Sequence, residues 1–364
     1  MKIKDITSFL EGFAPLGSQE SYDNSGLIVG SHDMEVTEVL LSLDCIEKTV
    51  EEAIQIGANL IIAHHPIVFG GLKQLNGKNY VERTVIKAIK NDIAIYAIHT
   101  NLDNYKFGVN YEIAKRIGIS NPRILSPKKN ALKKLVFFCP SNDSKKVTQA
   151  IFDAGGGNIG EYSECSFQSK GTGFFKPGEK ANPSTGNIGN REEVQENRIE
   201  VLVPIHKESQ ILHAMKNAHP YEEVAHDLYP ISNLNQDEGS GMIGTLAEPM
   251  EVTSFLSHIK DTFNCGTIRH TELVKKEIKT VAFCGGSGSF LLNKAKNQQA
   301  DIYITGDFKY HEFFDAENAI IIADIGHFES EQYTPHLILA VLKKNFINFA
   351  FHLSKVNTNP INYF

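Results

Sequence analysis

The stretch Asn59-Leu-Ile-Ile-Ala-His-His-Pro66 carries an apolar run directly into two adjacent histidines. A short apolar run between polar residues is typical of a strand that is buried on both faces. Two similar runs lie on either side of it, at Val36–Leu43 and Ile93–Ile98. Stretches with helical spacing of apolar residues separate the three runs, at Glu47–Ile56 and Val81–Asn91. This alternation predicts βαβ units and a mostly parallel sheet.

The end of the chain repeats the pattern. Three further strands are predicted at Thr280–Cys284, Asp301–Thr305 and Ala319–Ala323. Helical stretches lie between them, at Leu291–Gln298 and Tyr310–Glu317. A last helix is predicted over Ser330–Lys344, followed by a strand at Asn348–His352. Because proline lacks a backbone N–H and fits only the first turn of a helix, Pro335 predicts that this helix is kinked or starts late.

The middle of the chain has a different order of elements. Two strand–helix pairs are predicted, at Lys134–Cys139 with Ser144–Ala154 and at Arg198–Pro204 with Lys207–Ala218, and a strand follows at Val224–Tyr229. The polar segment Lys176–Asn197 between the two halves is predicted to be a long surface loop. The order β-α-β…β-α-β predicts a ferredoxin-like α+β domain. The expected organisation is therefore an α/β core in two halves, 1–130 and 232–364, with an α+β domain inserted at 131–231.

Composition excludes several classes of protein. The 364 residues include 41% hydrophobic residues, which excludes general disorder. The net charge of −7 disfavours binding to nucleic acid, because no basic field attracts the phosphate backbone. No apolar run approaches the roughly 18 residues that span a membrane, and no secretory signal is evident, so a cytoplasmic location is expected. Five scattered cysteines without a CxxC pair argue against disulfides and a zinc ribbon: Cys45, Cys139, Cys165, Cys265 and Cys284.

Polar side chains follow three of the predicted strands. His64 and His65 follow the first, Asp103 lies shortly after another, and His327 and Glu331, four residues apart, can share one helix face after a third. Three imidazoles and two carboxylates suit zinc, manganese, iron or cobalt, and are too many for one four-coordinate zinc. Two metals about 3.5–4 Å apart, bridged by Asp103 or Glu331, fit the set better.

Each of these residues also has a structural alternative. The histidine pair can be hydrogen-bonded and partly exposed without a metal. Asp103 suits a turn or a helix N-cap, and Glu331 can complement a helix dipole. The segment Gly285–Ser289 can cradle an anion or simply allow a tight turn from strand to helix. His311 can serve as a proton carrier or lie on a helix surface.

Taken in order along the chain, the motifs resemble one family, the Nif-three-like proteins, also described as dinuclear metal centre hexameric proteins. The pieces that carry the resemblance are Tyr22–Leu27, Ala63–Ile67, His99–Asp103, Thr305–His311 and Asp324–Glu331. The middle domain is similar to the PII/CutA-like insert of longer members, and the matching pieces are His219–Glu223 and Gly239–Leu246. The resemblance implies five metal ligands, which fall on His64, His65, Asp103, His327 and Glu331. It places His99 beside the metals and implies a homo-hexamer.

Members of this family carry the label GTP cyclohydrolase I type two homologue. The label implies a hydrolase that attacks guanine C8 with a metal-bound hydroxide. A site with two divalent ions per subunit would allow hydrolysis of a phosphate, amide or cyclic substrate, with His99 or His311 as proton carrier. Zinc is the first expectation for the metal, and iron, manganese or cobalt are the alternatives. The alternative function is a non-catalytic hexamer that binds or delivers metal, or senses a small ligand through the insert. The true small-molecule substrate is left open.

Overall fold

A computed structural model describes all 364 residues, and the chain divides into two units. The larger unit contains residues 1–127 and 237–364, and the smaller unit contains residues 128–236. In the first part of the larger unit the strands are β1 (Gly26–Val29), β2 (Val39–Ser42), β3 (Leu60–Ala63), β4 (Ala94–Ala97) and β5 (Ile119–Lys128). The helices are α1 (Ile3–Phe13), α2 (Glu47–Ile56), α3 (Tyr80–Lys90), α4 (Thr100–Asp103) and α5 (Val109–Ile117).

The smaller unit has the order strand, helix, strand, strand, helix, strand. Its elements are β6 (Leu132–Pro140), α6 (Ser144–Asp153), β7 (Ser166–Phe175), β8 (Glu192–Pro204), α7 (Glu208–Ala218) and β9 (His226–Pro230). The strands pair antiparallel throughout, in the order β7-β8-β6-β9. The predicted loop Lys176–Asn197 is too long, because β8 begins at Glu192. Residues 192–196 pair with β7 and carry mostly polar side chains, so no apolar pattern marks them as a strand.

The second part of the larger unit completes the α/β core. Its strands are β10 (Asn235–Glu251), β11 (Arg269–His270), β12 (Glu277–Ser287), β13 (Ile302–Gly306), β14 (Ile321–Asp324) and β15 (Phe351–Leu353). Its helices are α8 (Val252–Thr262), α9 (Leu292–Asn297), α10 (His327–Glu331) and α11 (Thr334–Asn345). Short 3-10 helices occur in the chain at Leu16–Ser18, Ile205–Lys207, Ser289–Leu291 and Tyr310–Ala316. None of the helices combines the length and the apolar composition that crossing a bilayer requires.

Two sheets form the core of the larger unit, so the predicted mixed α/β class is confirmed. The first has the order β1-β4-β3-β2-β15, in which only β1 runs antiparallel to its neighbour. The second has the order β11-β14-β13-β12-β10-β5. In it, β12, β13 and β14 are parallel, whereas β11 pairs antiparallel with β14 and β10 pairs antiparallel with β12. The mostly parallel prediction therefore holds for the centre of each sheet.

Five central strands of the two sheets are fully buried, which fixes the positions of the residues that follow them. Every residue of β2, β3, β4, β13 and β14 is buried. One hydrophobic cluster includes Leu60 and Ile62 of the first sheet together with Phe283 and Ile304 of the second. Burying one such side chain contributes about 1.5–3 kcal/mol to folding. The carboxyl ends of these strands are therefore held in fixed positions.

The last helix starts late, as the position of Pro335 predicts. The predicted helix Ser330–Lys344 is two helices, α10 and α11, and Pro335 lies in the first turn of α11. A proline is tolerated there because the N–H groups of the first turn have no partner within the helix. The late start leaves α10 as a separate short helix directly after β14.

Candidate metal centre

Three strand ends from the two sheets meet within the larger unit. His64 and His65 follow β3 directly, and Asp103 ends α4, which follows β4. His327 begins α10 and Glu331 ends it, so these two side chains come from the other sheet. Ligand-binding groups commonly gather at the carboxyl ends of strands in α/β sheets. The five residues predicted as metal ligands are thus brought to one place.

Glu331 lies at the centre of this cluster. Its Oε2 atom is 3.0 Å from Nε2 of His65 and 3.1 Å from Nε2 of His327. The Nε2 atoms of these two histidines are 3.3 Å apart. These three side chains form one group of donors whose atoms all lie within 4.8 Å of one another.

The other oxygen of Glu331 faces a second group of donors. Its Oε1 atom is 3.8 Å from Nε2 of His64, which is 3.5 Å from Oδ1 of Asp103. Both the His64 Nε2 atom and the Asp103 Oδ1 atom are buried without a hydrogen-bond partner. A buried polar atom without a hydrogen-bond partner lowers the stability of the fold by about 1–3 kcal/mol, so two such atoms side by side indicate a ligand site. A divalent cation between them would satisfy both, and the residues present fit a metal.

The three histidines are held with their Nε2 atoms toward the cluster. The Nδ1 atom of His64 donates to the carbonyl oxygen of Ile98 at 2.7 Å. A carbonyl oxygen only accepts, so the neutral His64 ring keeps its Nε2 lone pair free for a metal. Nδ1 of His65 bonds Asp44 at 2.8 Å, and Nδ1 of His327 bonds Asp307 at 2.7 Å. Such outer hydrogen bonds orient metal-binding imidazoles and raise their basicity.

The protonation states of the cluster reflect concentrated negative charge. Burial and the charge of Glu331 raise the pKa of Asp103 to about 8. Burial opposes ionisation of Glu331, but the charge of His327 and its hydrogen bond outweigh burial and hold the pKa of Glu331 well below its usual value. Burial likewise opposes charge on His65 and His327. Their carboxylate partners outweigh it and raise the pKa of His65 to about 10 and the pKa of His327 to about 11. A bound cation would compete with protons for these side chains, because metal ligands must be deprotonated.

His99 lies beside the cluster, and His311 does not. Nδ1 of His99 is 2.7 Å from Oδ1 of Asp23, whose side chain is completely buried. The His99 ring lies 5.3 Å from the His64 ring and 5.4 Å from the His65 ring, and the three together form a third group of possible donors. The His311 ring instead contacts Tyr310 and Phe314 on an exposed 3-10 helix. His311 belongs to none of the donor groups.

Three aspartates that support the histidines were missed by the sequence analysis. Asp44 lies two residues after β2, Asp307 follows β13, and Asp23 precedes β1. Position at a strand end, which identified the ligands, could also have identified Asp44 and Asp307. Asp307 adopts a left-handed conformation with φ of +61°, which is uncommon for a residue with a side chain. Asp23 does not follow a strand, and its partner His99 is 76 residues away, so only its place in the Tyr22–Leu27 motif could have identified it.

The glycine-rich segment packs directly against Glu331. A methyl group added at Gly286 would place its carbon 2.4 Å from Glu331 Oε1. The N–H of Gly285 donates to Asn110 at 3.0 Å, and the N–H of Gly286 donates to the Ser330 hydroxyl at 2.9 Å. These two amides therefore already have partners within the protein. Of the two alternatives for Gly285–Ser289, the geometry favours the tight turn, which brings the backbone close to Glu331, over the anion cradle.

A cavity of about 780 Å³ opens above the cluster. Its lining includes His65, Asp103, His327 and Glu331, together with His99 at one side. Cavities of about 300–1,000 Å³ accommodate small molecules. The donors therefore lie at the surface of a space that a small ligand can enter.

The chain is similar to known proteins over nearly its whole length. A family model described as Duf34/NIF3 (NGG1p interacting factor 3) matches residues 1–360. A protein of Halalkalibacterium halodurans named GTP cyclohydrolase 1 type 2 homolog is 39% identical over 324 residues, which are 88% of this chain and 87% of that protein. A Bacillus subtilis protein with the same name is 36% identical over 367 residues, which are 99% of this chain and 98% of that protein.

Solved structures show the same fold. A Bacillus cereus protein related to NIF3 matches with a TM-score of 0.87 and 37% identity, over 100% of this chain and 99% of that one. A Staphylococcus aureus protein matches with a TM-score of 0.78 and 30% identity, over the same shares of the two chains. The resemblance identified from the sequence motifs is thereby confirmed: the chain belongs to the Duf34/NIF3 (NGG1p interacting factor 3) family.

Proposed function

We propose that the protein binds two divalent metal ions that share Glu331 and uses them to hydrolyse a small molecule. The observation that carries this proposal is the position of Glu331, whose two oxygens face separate donor groups. In the proposal His65 and His327 hold one ion, and His64 and Asp103 hold the other. Bound divalent ions would supply Lewis-acid activation of water and of a substrate oxygen, with zinc as the first candidate and iron, manganese or cobalt as alternatives.

His99 is the proton carrier in this proposal. Its Nδ1 atom is fixed by Asp23, so Nε2 is the ring atom left to exchange a proton with substrate. Burial alone would raise the pKa of Asp23, but hydrogen bonds from His99 and Thr100 outweigh burial and lower it. Asp23 therefore stays a carboxylate, keeps the His99 ring in one orientation and stabilises it when protonated. The location of His311 supports no such role.

The open cavity supports catalysis over storage. A site that only stores metal needs no space beyond its ligands, whereas a hydrolase needs room for substrate beside the ions. The third donor group, His64 with His65 and His99, favours a second candidate, non-catalytic metal binding or delivery. With His99 as a sixth protein donor, less of the coordination shell of the ions would be open to substrate.

The smaller unit is proposed to be a ferredoxin-like, PII/CutA-like insert. The support is its β-α-β-β-α-β order and the strand order β7-β8-β6-β9, in which the two strands that precede helices, β6 and β8, are adjacent at the centre. Its own core contains Phe137 and Ile199 from the sheet and Ile151 and Ile211 from the helices. The homo-hexamer and the cytoplasmic location stay predictions from the sequence.

A substrate screen on defined metal forms tests the hydrolase proposal. Chelator-stripped protein is reloaded separately with zinc, manganese, cobalt or ferrous iron and assayed against GTP, cyclic amides and phosphate esters. Turnover should require metal and should fall at least ~100-fold in Asp103→Asn and His99→Gln, since general acid–base and metal contributions are of this size. The His311→Gln control should keep full activity. Full metal loading without turnover of any substrate would favour the binding or delivery function instead.

A further inference from the structure

Aromatic side chains form one wall of the cavity above the metal cluster. Tyr22 and Phe69 line it with ring centroids 6.1 Å apart, and the Phe69 ring is 6.0 Å from the His99 ring, edge to face. Phe290 and Phe328 also line it. Tyr22 is 63% exposed, Phe69 51% and Phe290 68%. Large apolar side chains left exposed together beside polar groups mark a binding surface.

The same cavity is lined by no lysine and no arginine side chain. Four carboxylates do line it: Glu20, Asp44, Asp103 and Glu331. Two divalent ions would balance these four charges and leave no net positive charge for a polyanion. Proteins that bind nucleotide phosphates use lysine, arginine or free backbone amides for this purpose. The amides of Gly285 and Gly286 are already bonded to Asn110 and Ser330.

From these two observations we propose the substrate class of the site, on the basis of the function proposed above. The substrate is a small molecule with a planar aromatic group and at most one negative charge. Its aromatic group lies against Tyr22 and Phe69, and its polar group reaches the metal cluster. Nucleoside triphosphates are not substrates, because the cavity lining offers their phosphates no lysine or arginine side chain.

Calorimetric titration of the zinc-loaded protein tests this with three probes: benzohydroxamate, acetohydroxamate and GTP. Both hydroxamates carry the same metal-binding group, and only one carries a ring. Benzohydroxamate should bind at least ~10-fold more tightly than acetohydroxamate, since burying and stacking a ring contributes on this scale. The preference should shrink to less than ~3-fold in Tyr22→Ala/Phe69→Ala. It should persist in Phe314→Ala, which removes a ring that is 66% exposed and does not line the cavity.

Several outcomes would overturn the proposal. GTP binding more tightly than benzohydroxamate would contradict the charge argument, and a ring preference that survives the double variant would contradict the aromatic wall. If the double variant keeps the ring preference but has a different oligomeric state in light scattering, the two rings belong to a subunit interface instead. If acetohydroxamate binds but the ring adds nothing, only this inference fails. If the protein retains no zinc and neither hydroxamate binds, the proposed function fails with it.

Discussion

Replacing Gly286 with alanine tests whether the position of Glu331 creates the metal centre. The added methyl carbon would lie 2.4 Å from Glu331 Oε1, and an ordinary contact begins at 3.4 Å, so the carboxylate must retreat by about 1 Å. Metal–ligand distances tolerate deviations of only about 0.2 Å. Because Glu331 faces both donor groups, its displacement should weaken the binding of both ions. We expect at least a ~10-fold loss of zinc affinity, equivalent to about 1.4 kcal/mol.

A matched control separates this effect from backbone strain. Gly286 has φ of +65°, where alanine costs roughly 1–2 kcal/mol. Gly118, at the end of α5, has φ of +76°, and an added methyl there meets nothing within 4 Å. Gly118→Ala should therefore lose similar stability and keep full zinc affinity. The assay is competition with a chromophoric zinc chelator, beside thermal melts of the metal-free proteins. Equal zinc affinity in Gly286→Ala and Gly118→Ala would refute the reasoning.

Three further predictions follow from the same geometry. Asp44→Asn should lower the affinity for one of the two ions by about 10- to 100-fold, because Asp44 orients His65. Thr358→Val removes a hydroxyl donor to Asp44 and should lower that affinity less in the same competition assay. Zinc binding should release protons and tighten as pH rises, because the raised pKa values leave His65 protonated and Asp103 mostly protonated near neutral pH in the metal-free protein. Titrations in buffers of different ionisation enthalpy measure the proton release, and a pH-independent zinc affinity would contradict this prediction. Excision of 131–231 with a short linker should leave a folded protein that still binds metal, as judged by circular dichroism and elemental analysis, and an insoluble product would count against the proposed boundaries.

Local signals explain which parts of the fold could be predicted from the sequence. Helix α2 has the predicted bounds Glu47–Ile56, because Gly57 follows with φ of +77° and ends it. The predicted strand Asn59–Ala63 matches β3 within one residue, because it is a continuous apolar run. The segment Tyr310–Glu317 was predicted as an α-helix, but it forms a 3-10 helix. The spacing of apolar residues in so short a segment does not distinguish the two kinds of helix.

Some residues of the site could likewise be predicted from the sequence, whereas the contacts between distant residues could not. His64 could be selected from the sequence because it directly follows a strongly apolar strand. Glu331 could be selected because it lies four residues after His327 in the segment that follows another such strand, and motif order supported both choices. The hydrogen bond from His65 to Asp44 spans 21 residues, and the one from His99 to Asp23 spans 76. Such pairs are created by sheet topology, and no local pattern records them. The aromatic wall has the same origin, because Tyr22 and Phe69 are neighbours only in the folded chain.

Elemental analysis of the purified protein, prepared without chelator, tests the central claim most directly. The wild-type chain should contain about two divalent ions, because the donors form two groups that share Glu331. The Asp103→Ala variant should retain about one, since Asp103 belongs to only one of the two groups, and His311→Ala should retain both. A wild-type protein without metal, or with a metal content that is indifferent to Asp103, would contradict the dinuclear centre.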